Sequence, residues 1–105
     1  MTFERTLTSI QLRHRQKFII PMGWANTKTA LEAVALIHEE AAELGQELRQ
    51  ERPDIVKIGR EMADIILRVA DLAEEQGINL DFATQEKMEY NINNIPRYLA
   101  KGRVK

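Results

Sequence analysis

The chain lacks cysteine, so it needs no disulfide bonds and gives no sign of an oxidising compartment. Glycine is scarce, with five residues, and aromatic residues make up only 6% of the sequence. Alanine, leucine, isoleucine, glutamate and arginine are common instead, and this composition favours helices. The sequence has no apolar run long enough for a signal peptide or a membrane span. We therefore expect a cytoplasmic, all-α protein without a membrane partner.

The charges are nearly balanced, with 15 basic and 16 acidic residues and a net charge of −1. A general nucleic-acid-binding protein is usually strongly basic, so we expect no nucleic-acid polymer as a partner. The 105 residues leave room for a single domain, residues 1–105, with one hydrophobic core. Its apolar stripes are wide for such a short chain, which favours burial of some of them against another subunit.

Apolar residues recur every three or four positions along most of the chain, which predicts amphipathic helices. Asn26 or Thr27 is expected to cap the second helix, and Pro53 fits the first turn of the third. Gly77 is expected to end the third helix in a left-handed conformation, and Asp81 to open the fourth. The predicted fold is a four-helix bundle with helices at about residues 2–19, 27–51, 53–76 and 81–95.

Two pairs of acidic residues stand out, Glu40 with Glu43 and Glu61 with Asp64. Each pair has i, i+3 spacing, so its two carboxylates share one helix face. The pairs are also placed symmetrically about the turn near Pro53, so in two antiparallel helices Glu43 faces Glu61 and Glu40 faces Asp64. Four converging carboxylates repel each other and lose hydration, a heavy cost unless a cation lies among them. The sequence therefore predicts a site for a hard cation.

Both acid pairs border the apolar stripe of their helix, so they are expected beside the helix–helix interface and not in bulk water. Several other acidic residues on these helices are interpreted as a solvated flank. These are Glu47, Asp71, Glu74 and Glu75.

Oxygen ligands without cysteine or a well-placed histidine suit Mg²⁺ or Mn²⁺ and disfavour structural zinc. A di-iron centre would require a Glu-x-x-His motif on each of two helices. Here the third residue after each leading acid is Glu43 or Asp64. A di-iron centre is therefore disfavoured.

The motif residues resemble a known family. Residues 36–44, LIHEEAAEL, and 61–65, EMADI, resemble the EExxE…ExxD signature of the MazG-like nucleoside triphosphate pyrophosphohydrolases, within the all-α NTP pyrophosphatase superfamily. Trp24 precedes the first motif, and Lys87 and Asn91 resemble the family's K-x-x-x-N segment. The resemblance covers residues 24–98.

This resemblance implies a Mg²⁺-dependent four-helix fold that is a homodimer or a dimer of dimers. It implies cleavage of a nucleoside triphosphate between the α- and β-phosphates, which yields monophosphate and pyrophosphate. Glu40, Glu43, Glu61 and Asp64 match the metal ligands. Glu39 matches the first acid of the motif and, with Glu40, is a candidate catalytic residue that orients or deprotonates water or holds a second ion.

The substrate-binding residues are less sharply defined. Lys87 and Asn91 share a helix face. Lys87 is a candidate for holding phosphate and Asn91 for holding sugar or base. Alternatively, the two residues form a solvated pair. Trp24 either stacks on the base or covers an edge of the core. Asn26 either hydrogen-bonds the base or caps a helix. His14 is either a core or interface histidine or part of the substrate pocket.

One position departs from the family pattern. The family often has arginine three residues after its asparagine, where this chain has Asn94, and Arg97 follows three residues later. Either Arg97 reaches back to the substrate, or the basic C-terminal residues or a neighbouring subunit replace the family arginine.

The sequence thus favours a pyrophosphohydrolase that removes deoxynucleoside or non-standard triphosphates from the nucleotide pool. One rival is an enzyme like phosphoribosyl-ATP pyrophosphatase, although the distinct basic cluster that its substrate requires is not evident. The other is a helical oligomerisation module that binds metal or nucleotide without turnover.

Overall fold

The computed structural model describes residues 6–102, a region that contains helices and no strand. In chain order the elements are α1 (Leu7–His14), a π-helical turn (Arg15–Ile19), α2 (Ala30–Leu48), α3 (Ile55–Glu75), α4 (Leu80–Asn93) and α5 (Ile95–Ala100). The all-α class is confirmed. None of the helices in this region has the length and apolar character that crossing a membrane requires.

Each of the four longer helices, α1 to α4, is preceded by a residue whose side chain caps it. In each, the capping side chain accepts a hydrogen bond from a backbone N–H of the first turn, which satisfies one otherwise unpaired donor. The caps are Thr6, Thr29, Asp54 and Asn79. At Thr29 the bond is reciprocal, because Glu32 accepts from the N–H of Thr29 and completes a capping box.

The predicted start of the second helix is wrong by three residues, because α2 begins at Ala30. Neither predicted cap acts as one. The hydroxyl of Thr27 donates to the carbonyl of Trp24 at 2.7 Å, and Asn26 adopts a left-handed conformation with φ of 57°. Both residues instead shape the loop that carries Trp24.

The other predicted boundaries also shift. Helix α3 begins two residues after Pro53, and α4 begins at Leu80, one residue before the predicted opening residue Asp81. Pro96 lies in the first turn of the additional helix α5, where its missing N–H removes no helical bond. Gly77 has φ of 68°, which confirms the predicted left-handed end of α3. The predicted residues 2–5 of the first helix lie outside the described region.

Helices α2 and α3 pack antiparallel. Glu40, in the middle of α2, pairs with Arg68, whereas Lys28, which precedes α2, pairs with Asp71 further along α3. The buried apolar residues are few and mostly small: Ile19, Ala33, Ile58, Ala70 and Ala73. Because alanine occupies little space, it allows helix axes to approach closely.

Helix α1 is held on α3 by a buried amide. Gln11 is only 3% exposed, and its Nε2 donates to Glu74 Oε2 at 2.9 Å and to the carbonyl of Ile78 at 3.0 Å. The interpretation of Glu74 as part of a solvated flank is therefore wrong. Its carboxylate compensates the burial of the Gln11 donor.

The end of α3 anchors the π-helical turn and the loop before α2. Asp71 is 4% exposed and pairs with Lys28 Nζ at 3.2 Å and with Arg15 Nη1 at 3.8 Å. Glu75 pairs with Arg15 at 3.7 Å and accepts from the N–H of Asn26 at 2.8 Å. Asp71 and Glu75 were also predicted to be solvated, and this interpretation is wrong. Their partners lie far away in sequence and fix the loop against α3.

Helix α4 contacts the start of α1 through one carboxylate. Asp81 accepts from the N–H groups of Leu7 and Thr8, each at 3.0 Å. Hydrogen bonds from the side chain and backbone of Thr8, together with that from Leu7, hold the pKa of Asp81 below its ordinary value. Much of α4 beyond this contact is exposed, including the apolar side chains of Phe82, Met88 and Ile92.

We expect Asp71→Asn to lower the free energy of unfolding by about 2–3 kcal/mol. Removing one partner of a buried ion pair leaves the other charges uncompensated, which costs about 3–5 kcal/mol at good geometry, and the Arg15 contact here is long. Urea denaturation followed by circular dichroism measures the change. Glu51→Gln, at an exposed position in the α2–α3 turn, should behave like the parent. Equal stability of Asp71→Asn and the parent would contradict the anchoring role.

We expect Asp81→Asn to be less stable than the parent at neutral pH, because a neutral amide oxygen is a weaker acceptor than a carboxylate. The folded-state pKa lies below the unfolded value. The contribution of Asp81 is therefore complete above the ordinary aspartate pKa of about 3.9 and is lost as the pH falls through the folded-state pKa.

Urea midpoints of parent and Asp81→Asn should accordingly differ at neutral pH and converge in acid. Glu86→Gln, also on α4 and exposed, is the matched control and should follow the parent. A difference that persists unchanged into strong acid would refute the assignment to the Asp81 carboxylate.

Candidate metal and nucleotide site

Three acidic residues meet where α2 faces α3. One carboxylate oxygen from each of Glu40, Glu43 and Glu61 lies within 4.8 Å of the others. Asp64 lines the same cavity as Glu40 and Glu43, and its charge acts on Glu40. The structure thus brings together the residues of the two acidic motifs, with Asp64 at the edge of the closest three.

Burial makes this cluster electrostatically costly. The Glu40 side chain is 13% exposed, and Glu61 is half-buried. Burial, followed by the charges of Glu43 and Asp64, raises the pKa of Glu40, while its hydrogen bond from Arg68 acts in the opposite direction. Both Glu40 Oε2 and Glu61 Oε2 are buried and have no hydrogen-bond partner. Unpartnered buried carboxylate oxygens are suited to a bound cation.

The donor set fits Mg²⁺ or Mn²⁺. All three clustered ligands are carboxylates, the preferred donors of these hard cations. Glu43 and Asp64 are exposed, so the cluster is accessible from solvent. Glu39 is exposed and lies outside the lining of this cavity.

The rings of His14, Phe18 and Trp24 form an aromatic wall beside the acidic residues. His14 and Phe18 are stacked with ring centroids 5.2 Å apart, and the rings of Phe18 and Trp24 are nearly perpendicular with centroids 5.4 Å apart. These rings line one cavity of about 280 Å³ together with the carboxylates of Glu40, Glu43 and Asp64, whereas Glu61 lies outside its lining. Trp24 is 41% exposed and Phe18 is 42% exposed, so both residues are partly accessible to a flat ligand. Of the two interpretations of His14, the structure supports its place in the pocket.

The cavity is lined by the aromatic wall, by acidic residues and by further residues of α3. It consists of His14, Phe18, Ile19, Trp24, Glu40, Glu43, Asp64, Leu67, Arg68 and Asp71. Sequence reasoning missed Phe18, Arg68 and Asp71 as site residues. A signal for two of them was present, because Arg68 and Asp71 follow Asp64 by four and seven positions and so share its helix face.

The remaining predicted substrate residues lie elsewhere in the chain. Lys87 Nζ lies over the ring of Tyr90, 4.7 Å from its centroid, and Asn91 Oδ1 accepts from the hydroxyl of Tyr98. Asn94 Nδ2 donates to the carbonyl of Tyr90 at 2.7 Å, and Arg97 Nη1 reaches the Tyr90 hydroxyl at 3.4 Å. The four residues therefore form a patch on α4 and α5, outside the lining of the acid-containing cavity.

Asn26, the last predicted substrate residue, also lies outside this cavity lining. Its backbone N–H is engaged by Glu75, so its observed contribution is to the position of the Trp24 loop.

Comparisons of the chain with protein-family models, with curated proteins and with solved structures found no match.

Proposed function

We propose that this protein is a Mg²⁺-dependent nucleoside triphosphate pyrophosphohydrolase of the MazG-like type. The observation that carries the proposal is the cluster of Glu40, Glu43 and Glu61 beside a wall of stacked aromatic rings. A carboxylate cluster suits a cation that binds phosphates, and an aromatic wall suits a nucleobase. Both are features of a single cavity, as recognition of one nucleotide requires.

Glu40, Glu43, Glu61 and Asp64 would hold the metal. When bound, Mg²⁺ neutralises triphosphate charge and stabilises the charge that develops on the attacked phosphoryl group. In the hydrolysis, the oxygen of water bonds to phosphorus as the bond to the α–β bridging oxygen breaks. The proton released from water passes to a carboxylate and then to solvent. Glu40 is the better placed of the two candidate bases, since it lines the cavity and Glu39 does not.

The aromatic wall would bind the base without strong selection. Stacking on an indole or phenyl ring is available to every base because each base has a π-face. His14 adds a polar group to this wall, so hydrogen bonding to the base would come from its imidazole. Such a wall is compatible with the deoxy or non-standard nucleotides of a pool-cleaning reaction, the substrates that the motif resemblance implies.

We further propose that two or more copies complete the four-helix bundle. The chain exposes 8310 Å², whereas a compact monomer of this mass exposes about 6,000 Å². Its radius of gyration is 16.4 Å, compared with about 13 Å for a compact domain of similar length. Leu31 and Ile55 are at least 80% exposed, which is unusual for large apolar side chains.

A second copy would also give Lys87 and Asn91 a role. Both residues are exposed on α4 and outside the cavity of their own chain. In a homodimer or a dimer of dimers, α4 of one copy would pack beside α2 and α3 of another. Lys87 would then approach the phosphates held at the partner's carboxylates.

With Mg²⁺, a panel of ribo- and deoxynucleoside triphosphates should yield monophosphate and pyrophosphate, separated by ion-exchange chromatography. Glu43→Gln and Asp64→Asn should each reduce this turnover by at least about 100-fold, since loss of even an outer-shell partner of a metal ligand costs about 10–100-fold. Glu51→Gln, exposed and remote in the turn, is the matched control and should retain parental activity.

Diphosphate and inorganic phosphate as products would refute the proposed bond cleavage. Nucleotide binding without turnover would instead identify a non-catalytic module, and selective hydrolysis of phosphoribosyl-ATP would identify the enzyme of that type. Parental activity in Glu43→Gln would refute the metal site.

Light scattering at micromolar concentration should give a mass of at least twice the 12.1 kDa of one chain. Ile92→Glu should shift the protein towards the monomer, because it places a charge on the exposed apolar face formed by Met88 and Ile92. Gln50→Glu introduces the same charge in the exposed α2–α3 turn and should leave the mass unchanged. A monomeric parent would contradict the assembly.

A further inference from the structure

A cation of the chain already contacts the acid cluster. Arg68 Nε lies 3.4 Å from Glu40 Oε1, and the Arg68 side chain is 34% exposed compared with 13% for Glu40. The contact is long, and it uses a single nitrogen where a guanidinium and a carboxylate often form two parallel bonds. Arg68 therefore compensates Glu40 only in part and keeps access to solvent.

Arg68 also lines a second cavity, of about 230 Å³, on another side of Trp24. The other lining residues are Thr27, Lys28 and Leu36, so two cationic side chains border this cavity and no carboxylate does. Although Lys28 is paired with Asp71, this second cavity is a more favourable environment for an anion than the acid-lined one. Arg68 thus lies between an acidic site and a basic one.

We propose that Arg68 binds a phosphate of the substrate, and that it hydrogen-bonds Glu40 as long as no divalent cation is bound. Without a divalent cation, its guanidinium neutralises part of the charge on Glu40. With the cation and nucleotide present, it leaves Glu40 Oε1 and binds a non-bridging phosphate oxygen of the nucleoside triphosphate. This inference rests on the proposed function and adds a substrate-binding residue to it.

The exchange follows from charge. A divalent cation held by the Glu40 carboxylate would repel a guanidinium whose Nε lies 3.4 Å from Oε1 of that carboxylate. The incoming phosphates supply new acceptors, and the planar guanidinium can bind two phosphate oxygens at once. The bond that is lost is single and long, so the phosphate contact readily replaces it.

The variant Arg68→Gln distinguishes a phosphate-binding role from a structural one, because it should strengthen Mg²⁺ binding and weaken substrate binding. Removing the competing cation should increase the Mg²⁺ affinity of the nucleotide-free protein about threefold or more, measured by calorimetry with Mg²⁺ alone. Losing a charge-assisted bond to phosphate should raise KM for the best substrate of the nucleotide panel by about 10-fold or more.

Two further variants serve as controls. Arg52→Gln removes the same charge in the exposed α2–α3 turn and should leave both Mg²⁺ affinity and KM unchanged. Arg68→Lys keeps the charge without the planar group, so it should retain near-parental Mg²⁺ affinity while KM still rises.

Weaker Mg²⁺ binding in Arg68→Gln would show that Arg68 merely positions Glu40 and would overturn the proposal, as would an unchanged KM. If the parent binds Mg²⁺ but hydrolyses no triphosphate, the proposed function fails and the phosphate role fails with it. The calorimetric comparison of parent and Arg68→Gln would still decide whether Arg68 and Mg²⁺ compete for Glu40.

Discussion

The mutual repulsion of Glu40, Glu43 and Glu61 is the main electrostatic constraint on this fold. Packing of α2 against α3 brings their carboxylate oxygens within 4.8 Å, and Arg68 compensates the charge only partially. A folded chain that retains such repulsion must recover the cost elsewhere or bind a cation. A cation bound among these carboxylates would therefore stabilise the packing of α2 against α3.

The rest of the architecture positions the wall of the cavity around that cluster. Asp71 and Glu75 lie near the end of α3 and bind residues of the π-helical turn and the Trp24 loop. These contacts fix the backbone from which Phe18 and Trp24 extend. The acids sit on rigid helices, whereas Trp24 is carried by a tethered loop. In the proposed enzyme, the helices would give the metal ligands a fixed geometry, and the loop would allow the contact with the base to vary.

The sequence predicted the acid cluster because i, i+3 spacing within helices and symmetry about one turn are local properties. It did not predict the burial of Asp71, because the residues that compensate it, Arg15 and Lys28, lie at least 43 positions away. The error at the start of α2 has a similar origin. Asn26, Thr27 and Thr29 all belong to residue types that cap helices, and the choice depends on the carbonyl of Trp24, which engages Thr27. Local patterns thus identified the acid cluster. Long-range pairing decided whether Asp71 is buried and where α2 begins.

The π-helical turn at Arg15–Ile19 also limits how the sequence can change length. A π-helical turn accommodates one residue more than the corresponding α-helical turn, and each residue of a helix corresponds to a rotation of about 100°. The turn therefore absorbs one residue without rotating the helical segments on its two sides relative to each other. Deleting one residue here should restore a regular α-helix and leave His14 and Ile19 near their present directions. Deleting one residue within the regular turns of α1 would instead rotate its two ends by about 100° and separate the buried Gln11 contact from the aromatic wall.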